Sequence, residues 1–178
     1  MAKPEARVAI PGDRLIKAIF WAGLVGGVLD LAGAMAVYGP ILGTPATPER
    51  ILQSVASGLL GRKAFEGGWL AAGIGLTAHM AISFAAAAVY VGASQWLSVL
   101  LSRPIVSGLL FGAAVYVVMT QIVVPLSAAV SRPPSSFKMF LIASGLNVFL
   151  FGLPVALAAR MFAKSPRPSV PETTGTAP

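Results

Sequence analysis

The chain has 178 residues, of which 56% are hydrophobic and 11% are charged, and its mean hydropathy is +0.81. Soluble domains carry about twice that share of charged residues, so the composition indicates a membrane protein. The absence of cysteine excludes disulfides, thiolate metal sites and thiol catalysis, and six acidic residues and one histidine leave little material for other catalytic or metal sites. The formal charge of +7 is scattered beside apolar segments, so no nucleic-acid partner is expected.

Four stretches are long and apolar enough to cross a bilayer, which takes about 20 apolar residues for roughly 30 Å of hydrocarbon. Lipid cannot satisfy unpaired backbone groups, so each stretch is expected to be helical. They are predicted, as spans 1 to 4, at residues 15–38, 69–91, 104–124 and 139–159. The predicted fold class is an all-α membrane protein with four transmembrane helices.

Span 1 has an alternative interpretation as a cleaved signal sequence, because basic residues precede it and Ala34-Met35-Ala36 is a small-residue cleavage pattern. Its apolar region is longer than that of a usual signal sequence and contains Asp30, so we expect the span to be retained. The flanking residues 1–14 and 163–178 are polar or rich in proline and are predicted to be mobile. They enclose one transmembrane domain, 15–162.

The distribution of Lys and Arg predicts the orientation in the membrane. Eight of these residues lie at the N-terminus, between spans 2 and 3, and at the C-terminal end, whereas five lie on the opposite face. Because cytoplasmic loops carry an excess of basic residues, both termini are predicted to be cytoplasmic. The lipid bilayer is the expected partner, with headgroup contacts for the basic residues.

The connection between spans 1 and 2 is long enough to carry a helix of its own, predicted at 48–60 and named the loop helix here. Thr47 supplies an N-cap, Pro48 the first helical position and Glu49 an acid in the first turn. Gly61 is a C-terminal stop signal. These signals predict both ends of the loop helix.

The loop helix is predicted to be amphipathic. Its apolar residues recur at helical spacing: Ile51, Leu52, Val55, Ala56, Leu59 and Leu60. The polar residues placed opposite them are Arg50, Gln53, Ser54 and Ser57. We expect an interfacial helix in the headgroup region or over the bundle mouth, and a lid or a lipid-binding element is the functional alternative.

Polar side chains at membrane depth are costly, and they indicate where a function should be sought. Four are found: Asp30, His79, Asn147 and Gln121. Counted from the span ends at 1.5 Å per residue, the first three lie roughly 12–15 Å below one membrane face, and Gln121 lies shallower. The sequence therefore predicts a cluster of polar groups at one depth.

Small residues accompany two of these groups and allow helices to approach closely. The span 1 face holds Gly23, Gly27, Asp30 and Ala34, and the span 2 face holds Ala72, Gly75, His79, Ser83 and Ala86. Packing along these faces is predicted to bring the acid and the imidazole together as a proton-responsive pair, with Asn147 as a hydrogen-bond partner. The alternative is that these groups only tie helices together, at about 0.6 kcal/mol per hydrogen bond.

No catalytic residue, metal site or cofactor is predicted. One His and one Asp supply too few metal ligands, and Ser83 and Ser144 lie in no nucleophile motif. The glycines follow helix-packing spacing, as in Gly108 and Gly112, and form no phosphate-binding loop. Pro125 and Pro154 are predicted to kink spans 3 and 4.

Three features together resemble small bacterial inner-membrane proteins of unassigned function, of the YagU type. They are the span with Asp30, the loop-helix segment 49–61, and the run Ala64-Phe65-Glu66-Gly67-Gly68 before the span with His79. The resemblance covers residues 15–160 and implies a four-helix inner-membrane protein. It contributes no catalytic or binding residues.

We therefore expect a non-enzymatic multi-pass membrane protein. The first candidate is a structural or partner-binding subunit, either as a homo-oligomer or with another membrane protein. The alternative is a small proton-linked carrier or pH-responsive protein that uses Asp30 and His79. A carrier requires a water-accessible cavity that reaches both side chains, whereas a structural subunit requires a dry centre.

Overall fold

The structure is a computed structural model that describes residues 8–43, 46–130 and 136–163. It contains four helices long and apolar enough to cross a membrane: Gly12–Ile41, Gly68–Ala93, Pro104–Leu126 and Phe137–Met161. These helices are spans 1 to 4, and they extend the predicted segments by a few residues. The all-α fold class is confirmed, and the chain has the architecture of a multi-pass membrane protein.

The loop helix extends over Pro48–Leu60 and is followed by a 3-10 turn at Gly61–Phe65. The hydroxyl of Thr47 accepts a hydrogen bond from the backbone N–H of Arg50 at 3.2 Å. Gly61 ends the helix with φ at 59°, a conformation that favours glycine. Both end signals predicted from the sequence are confirmed.

The spans pack in the spatial order 2, 1, 4, 3. Span 1 contacts both span 2 and span 4, and span 4 contacts span 3. Val8 and Ala163, the first and last described residues, both pack against one hydrophobic core, so they lie on the same side of the bundle. We name this the terminal side, and the opposite side the loop-helix side.

Glycines allow close contacts between neighbouring spans. A Cβ on Gly27 of span 1 would lie 2.8 Å from the hydroxyl of Ser83 in span 2. A Cβ on Gly152 of span 4 would collide with the backbone of Gly108 and Gly112 in span 3. The predicted use of small residues for close helix packing is therefore confirmed at both interfaces.

The folded domain begins earlier than the sequence analysis placed it. Ile10 is 2% exposed and belongs to the core on the terminal side, together with Leu101 and Ala159. Burial of an apolar side chain is favourable, and this draws the chain under the bundle before span 1 starts. The remaining parts of the predicted tails, 1–7 and 164–178, lie outside the described residues.

Prolines inside the spans coincide with π-helical segments. Pro40 lies within the segment Val37–Ile41. Pro125 and Pro154 each follow such a segment by two residues, Met119–Val123 in span 3 and Leu146–Gly152 in span 4. A wider turn accommodates the missing N–H of proline, and π-helical turns are a known cause of kinks. The helices thus depart from α geometry where kinks were predicted.

Candidate functional site

A cavity of about 430 Å³ lies between span 1, the loop helix and span 2. Half of its lining residues are polar or charged: Asp30 and Tyr38 of span 1, Arg50 and Ser54 of the loop helix, and His79 of span 2. The others are Leu31, Ala34, Ala46, Ile51 and Val55. The cavity therefore joins charged groups from three separate elements in an otherwise apolar bundle.

The imidazole of His79 is fixed by span 1. Its Nε2 lies 2.9 Å from the carbonyl oxygen of Gly27. A carbonyl oxygen only accepts hydrogen bonds, so Nε2 carries the hydrogen and donates it. In the neutral imidazole, Nδ1 is then the ring nitrogen with a lone pair that accepts a hydrogen bond. Because Gly27 precedes Asp30 by one helical turn, the bond holds the imidazole beside the turn that carries the carboxyl group.

The carboxyl group of Asp30 has no direct counter-ion. Within the described ranges, Arg14 and Asp13 form an ion pair at 4.0 Å. Neither Asp30 nor His79 takes part in an ion pair there. Asp30 and His79 instead share the wall of the cavity. Their arrangement leaves the carboxyl group accessible to a proton or to a ligand that enters the cavity.

Arg50 is positioned by the turn that follows the loop helix. Its Nη1 donates to the carbonyl oxygen of Phe65 at 3.2 Å, and Cζ lies 5.0 Å from the centroid of the Phe65 ring. The ring face attracts the cation, and the carbonyl uses one of five N–H donors. Arg50 is exposed and lines the cavity. It therefore places a positive charge on the wall of the cavity that Asp30 also lines.

The loop helix is fixed to span 2. A Cβ on Gly75 would collide with the carbonyl oxygen of Leu52, so the two helices touch through their backbones. The amide nitrogen of Gln53 donates to the carbonyl oxygen of Gly68 at 3.2 Å and to Glu49 Oε1 at 3.1 Å. The loop helix thus forms the roof of the cavity and is attached to span 2.

The division of the loop helix into faces differs from the expected one. Gln53 and Ser57, placed on the outward polar face by the sequence, are buried, and Ser57 accepts a hydrogen bond from the N–H of Val130 at 3.4 Å. Leu52 is buried, Ile51 and Val55 are half-buried, and Leu59 is exposed. Backbone groups of distant segments bind the Gln53 amide nitrogen and the Ser57 hydroxyl group, and local spacing does not predict such partners.

The structure brings together two of the four polar groups found at membrane depth. Asp30 and His79 line the cavity, and Asn147 and Gln121 do not. The Asn147 amide donates to the carbonyl oxygen of Ala143 at 3.4 Å, within its own helix. Gln121 is exposed on span 3. The expected hydrogen-bond role of Asn147 toward Asp30 is therefore not found.

The position of Asn147 follows from how span 4 meets span 1. Gly26 of span 1 faces Val155 and Phe151, and Gly33 faces Leu150 and Leu146. These glycines occupy a different face of span 1 from Gly27 and Asp30, which are directed toward span 2. Span 1 therefore uses two glycine faces for two neighbours.

Tyr38 and Arg50 line the cavity but were not identified as site residues from the sequence. Asp30, Ala34 and Tyr38 are four residues apart, so the same face of span 1 carries all three, and this spacing was a usable signal. The place of Arg50 depends on how the loop helix folds back onto span 2. No local pattern predicts that contact.

The polar groups of the cavity are one carboxyl group, one imidazole, one guanidinium group, one phenol and one serine hydroxyl group. In the described part of the chain, no three His, Cys, Asp or Glu side chains lie close enough to hold a metal ion. No protein-family model, curated protein or solved structure matches this chain. The geometry of the cavity is therefore the basis for a functional proposal.

Proposed function

We propose that the chain is a small proton-linked carrier of a bacterial inner membrane, with both termini in the cytoplasm, that binds a small polar solute in the cavity of Asp30 and His79. The observation that supports this function is the shared lining: a carboxyl group, an imidazole and a guanidinium group face one space of about 430 Å³. If these groups only formed hydrogen bonds between helices, they would be expected to pack against each other without a cavity between them.

Competition for Asp30 provides the physical basis of coupling. A carboxylate at this depth is costly, and a bound proton or a cationic group on a solute each removes the net charge. Proton and solute then compete for one carboxyl group. His79 supplies a second proton acceptor beside it, and Arg50 attracts an acidic group of the same solute. The expected solutes are small amines and zwitterions.

Cysteine accessibility tests whether the cavity is wet. The chain contains no cysteine, so single substitutions need no prior mutagenesis. Ala34→Cys places a thiol on the cavity wall, and Ala32→Cys places one at nearly the same depth on the exposed outer surface of span 1. A membrane-impermeant maleimide is expected to label the first variant and not the second, because hydrocarbon excludes the reagent and the thiolate. Equal protection of both variants would contradict the proposal.

A transport assay tests the activity itself. Purified protein is reconstituted into vesicles that contain a fluorescent pH indicator, and small amines, zwitterions and carboxylates are added in turn. We expect amines or zwitterions to drive proton movement in the wild type and not in Asp30→Asn. Asp13→Asn, which removes an exposed carboxyl group at the start of span 1, serves as the matched control. Absence of solute-driven proton movement in correctly folded wild type would refute the carrier function.

A second candidate function, a partner-binding subunit or homo-oligomer, is supported by Gln121. This polar side chain is exposed on span 3, where a hydrogen bond to another transmembrane helix stabilises association. A carrier of four helices is small, so dimerisation is expected for the first candidate as well. Gln121→Cys is expected to form disulfide-linked dimers in native membranes, and Ile105→Cys, also exposed on span 3, is the control. Monomers alone would exclude a symmetric contact through Gln121.

A further inference from the structure

A groove of about 400 Å³ separates spans 2 and 3 near the terminal side of the bundle. Val89 of span 2 and Val106 and Leu110 of span 3 line it, and each is more than half exposed, at 66%, 57% and 66%. In a membrane these side chains face hydrocarbon. The groove is therefore open sideways to the bilayer.

The connection between spans 2 and 3 holds the groove open. Leu101, in the short helix Val99–Ser102, is fully buried in the bundle core. The hydroxyl of Tyr90 donates to the carbonyl oxygen of Leu100 at 2.7 Å. These two contacts draw the connection beneath the bundle, so span 3 starts at a distance from span 2. The groove is thus a fixed feature of the fold.

The inner wall of the groove presents mainly hydrocarbon and aromatic surface. The rings of Tyr90 and Phe111 meet edge to face with their centroids 5.0 Å apart. The hydroxyl groups of Tyr90 and Ser107 lie 3.1 Å apart, and the Ser107 hydroxyl lies within hydrogen-bond distance of the carbonyl oxygens of Leu100 and Arg103. The polar atoms of the wall are thereby satisfied. Such a wall favours an acyl chain over a polar solute.

One cationic side chain lies at the end of this apolar wall. Arg103 lines the groove, directly before Pro104 at the start of span 3, and is exposed. Within the described ranges, its guanidinium group has no carboxylate within 4.0 Å. A guanidinium group binds phosphate oxygens through paired N–H donors, and basic residues at a membrane edge attract anionic lipids.

We infer that the groove binds one anionic phospholipid, with its phosphate on Arg103 and one acyl chain along Val89, Val106 and Leu110. Two observations favour this occupant together: an apolar wall open to hydrocarbon, and an unpaired cation where the span ends. A soluble anion would use only Arg103, and a helix of a second copy would use only the wall. The site is independent of the proposed carrier function.

Native mass spectrometry of the purified protein measures the headgroup preference. The probes are phosphatidylglycerol and phosphatidylcholine with identical acyl chains. One guanidinium group near a membrane surface contributes about 1 kcal/mol, so the wild type is expected to prefer phosphatidylglycerol about fivefold. Arg103→Gln is expected to abolish the preference. Arg62→Gln, which removes an exposed arginine on the loop-helix side, is expected to retain it.

Filling the groove tests the acyl-chain contact. Val106→Trp inserts a large ring into the groove and is expected to reduce binding of both lipids. Ile105→Trp is the matched control, because Ile105 is 59% exposed and does not line the groove. Both positions are exposed, so neither variant disturbs the core, and a thermal melt of each protein verifies this.

Three results would overturn the inference. Unchanged headgroup preference in Arg103→Gln would show that the guanidinium group does not hold the phosphate. Displacement of phosphatidylglycerol by millimolar inorganic phosphate would identify a site for free anions. A wild-type dimer that Val106→Trp converts to a monomer, with lipid binding unchanged, would show that a second copy occupies the groove.

Discussion

His79 of span 2 donates a hydrogen bond from Nε2 to the carbonyl oxygen of Gly27 in span 1, at 2.9 Å. The contact joins two helices at the level of Asp30, and it is possible because Gly27 has no side chain and lets the helices approach. One bond thus has two roles: it stabilises the helix pair, and it orients the imidazole at the wall of the cavity.

Loss of this bond is expected to have a small effect on stability. His79→Leu is expected to lower the free energy of unfolding in detergent by about 0.6 kcal/mol, and at most about 1.7 kcal/mol, as found for hydrogen bonds between transmembrane helices. Thr77→Ala, which removes a hydroxyl group bonded only within span 2, is the control. A loss above 3 kcal/mol would indicate a wider structural role for the imidazole, beyond ~1.7 kcal/mol for one bond.

A double-mutant cycle measures whether Asp30 and His79 interact. Unfolding of the wild type, Asp30→Asn, His79→Gln and the double variant gives their coupling energy. Side chains in contact typically show a coupling energy of about 0.5–3 kcal/mol, and we expect a value in this range for the pair. Arg50 and Tyr38 line the same cavity and stay constant in all four proteins. Additive effects would mean that the two groups do not interact.

The contact between the loop helix and span 2 is expected to be intolerant of a methyl group. Gly75→Ala directs a Cβ onto the carbonyl oxygen of Leu52, and such overpacking costs about 1–3 kcal/mol. Gly73→Ala lies in the same helix with nothing within 4 Å, and the higher helix propensity of alanine predicts no loss. In thermal denaturation, Gly75→Ala should therefore melt at a lower temperature than Gly73→Ala. Equal melting temperatures would contradict the close contact.

The crossing of spans 3 and 4 allows a parallel test. Gly152→Ala directs a Cβ onto the backbone of Gly108 and Gly112, whereas Gly145→Ala in the same span meets nothing within 4 Å. We expect the first variant to be destabilised by about 1–3 kcal/mol and the second to be neutral. Neither backbone can move without repacking its helix. If Gly152→Ala were as stable as the wild type, spans 3 and 4 would have to be farther apart.

The N-cap of the loop helix is expected to act locally. Thr47→Ala removes the acceptor for the Arg50 N–H and costs about 1 kcal/mol of helix stability. A loss of about 1 kcal/mol raises the opening equilibrium about fivefold, so hydrogen exchange at the first amides of the loop helix should be about five times faster. Exchange in span 3 is expected to stay unchanged. Thr47→Ser retains a hydroxyl acceptor and is the control. Acceleration throughout the bundle would mean that the cap stabilises the whole fold.

The fold was largely predictable because its signals are local. About 20 apolar residues in a row define a span, and Thr47 and Gly61 define the loop helix by capping chemistry that acts within one turn. The pairing of spans 1 and 2 was predictable from glycine spacing, since Gly27 permits an approach that a larger residue would block. These features depend on residues close in sequence or on composition alone.

The cavity was only partly predictable because its walls come from three elements. Asp30 and His79 were identified by their cost in hydrocarbon, which is a property of each residue alone. Arg50 reaches the cavity through contacts with Phe65, and Gln53 is buried because Gly68 offers a carbonyl oxygen. Gln121 is exposed because span 3 packs through Gly108 and Gly112 on another face. Such long-range pairings leave no periodic pattern in the sequence.

The attachment of the loop helix to span 2 determines which part of the protein can change the width of the cavity. Backbone contact at Gly75 and the Gln53 bond to Gly68 make the roof and span 2 a single unit, whereas span 1 has little contact with the roof. The upper end of span 1 is the π-helical segment Val37–Ile41, where Pro40 lacks an N–H donor. Under the proposed carrier function, the cavity is therefore expected to widen or narrow by movement of the end of span 1 that carries Tyr38, relative to the loop helix and span 2.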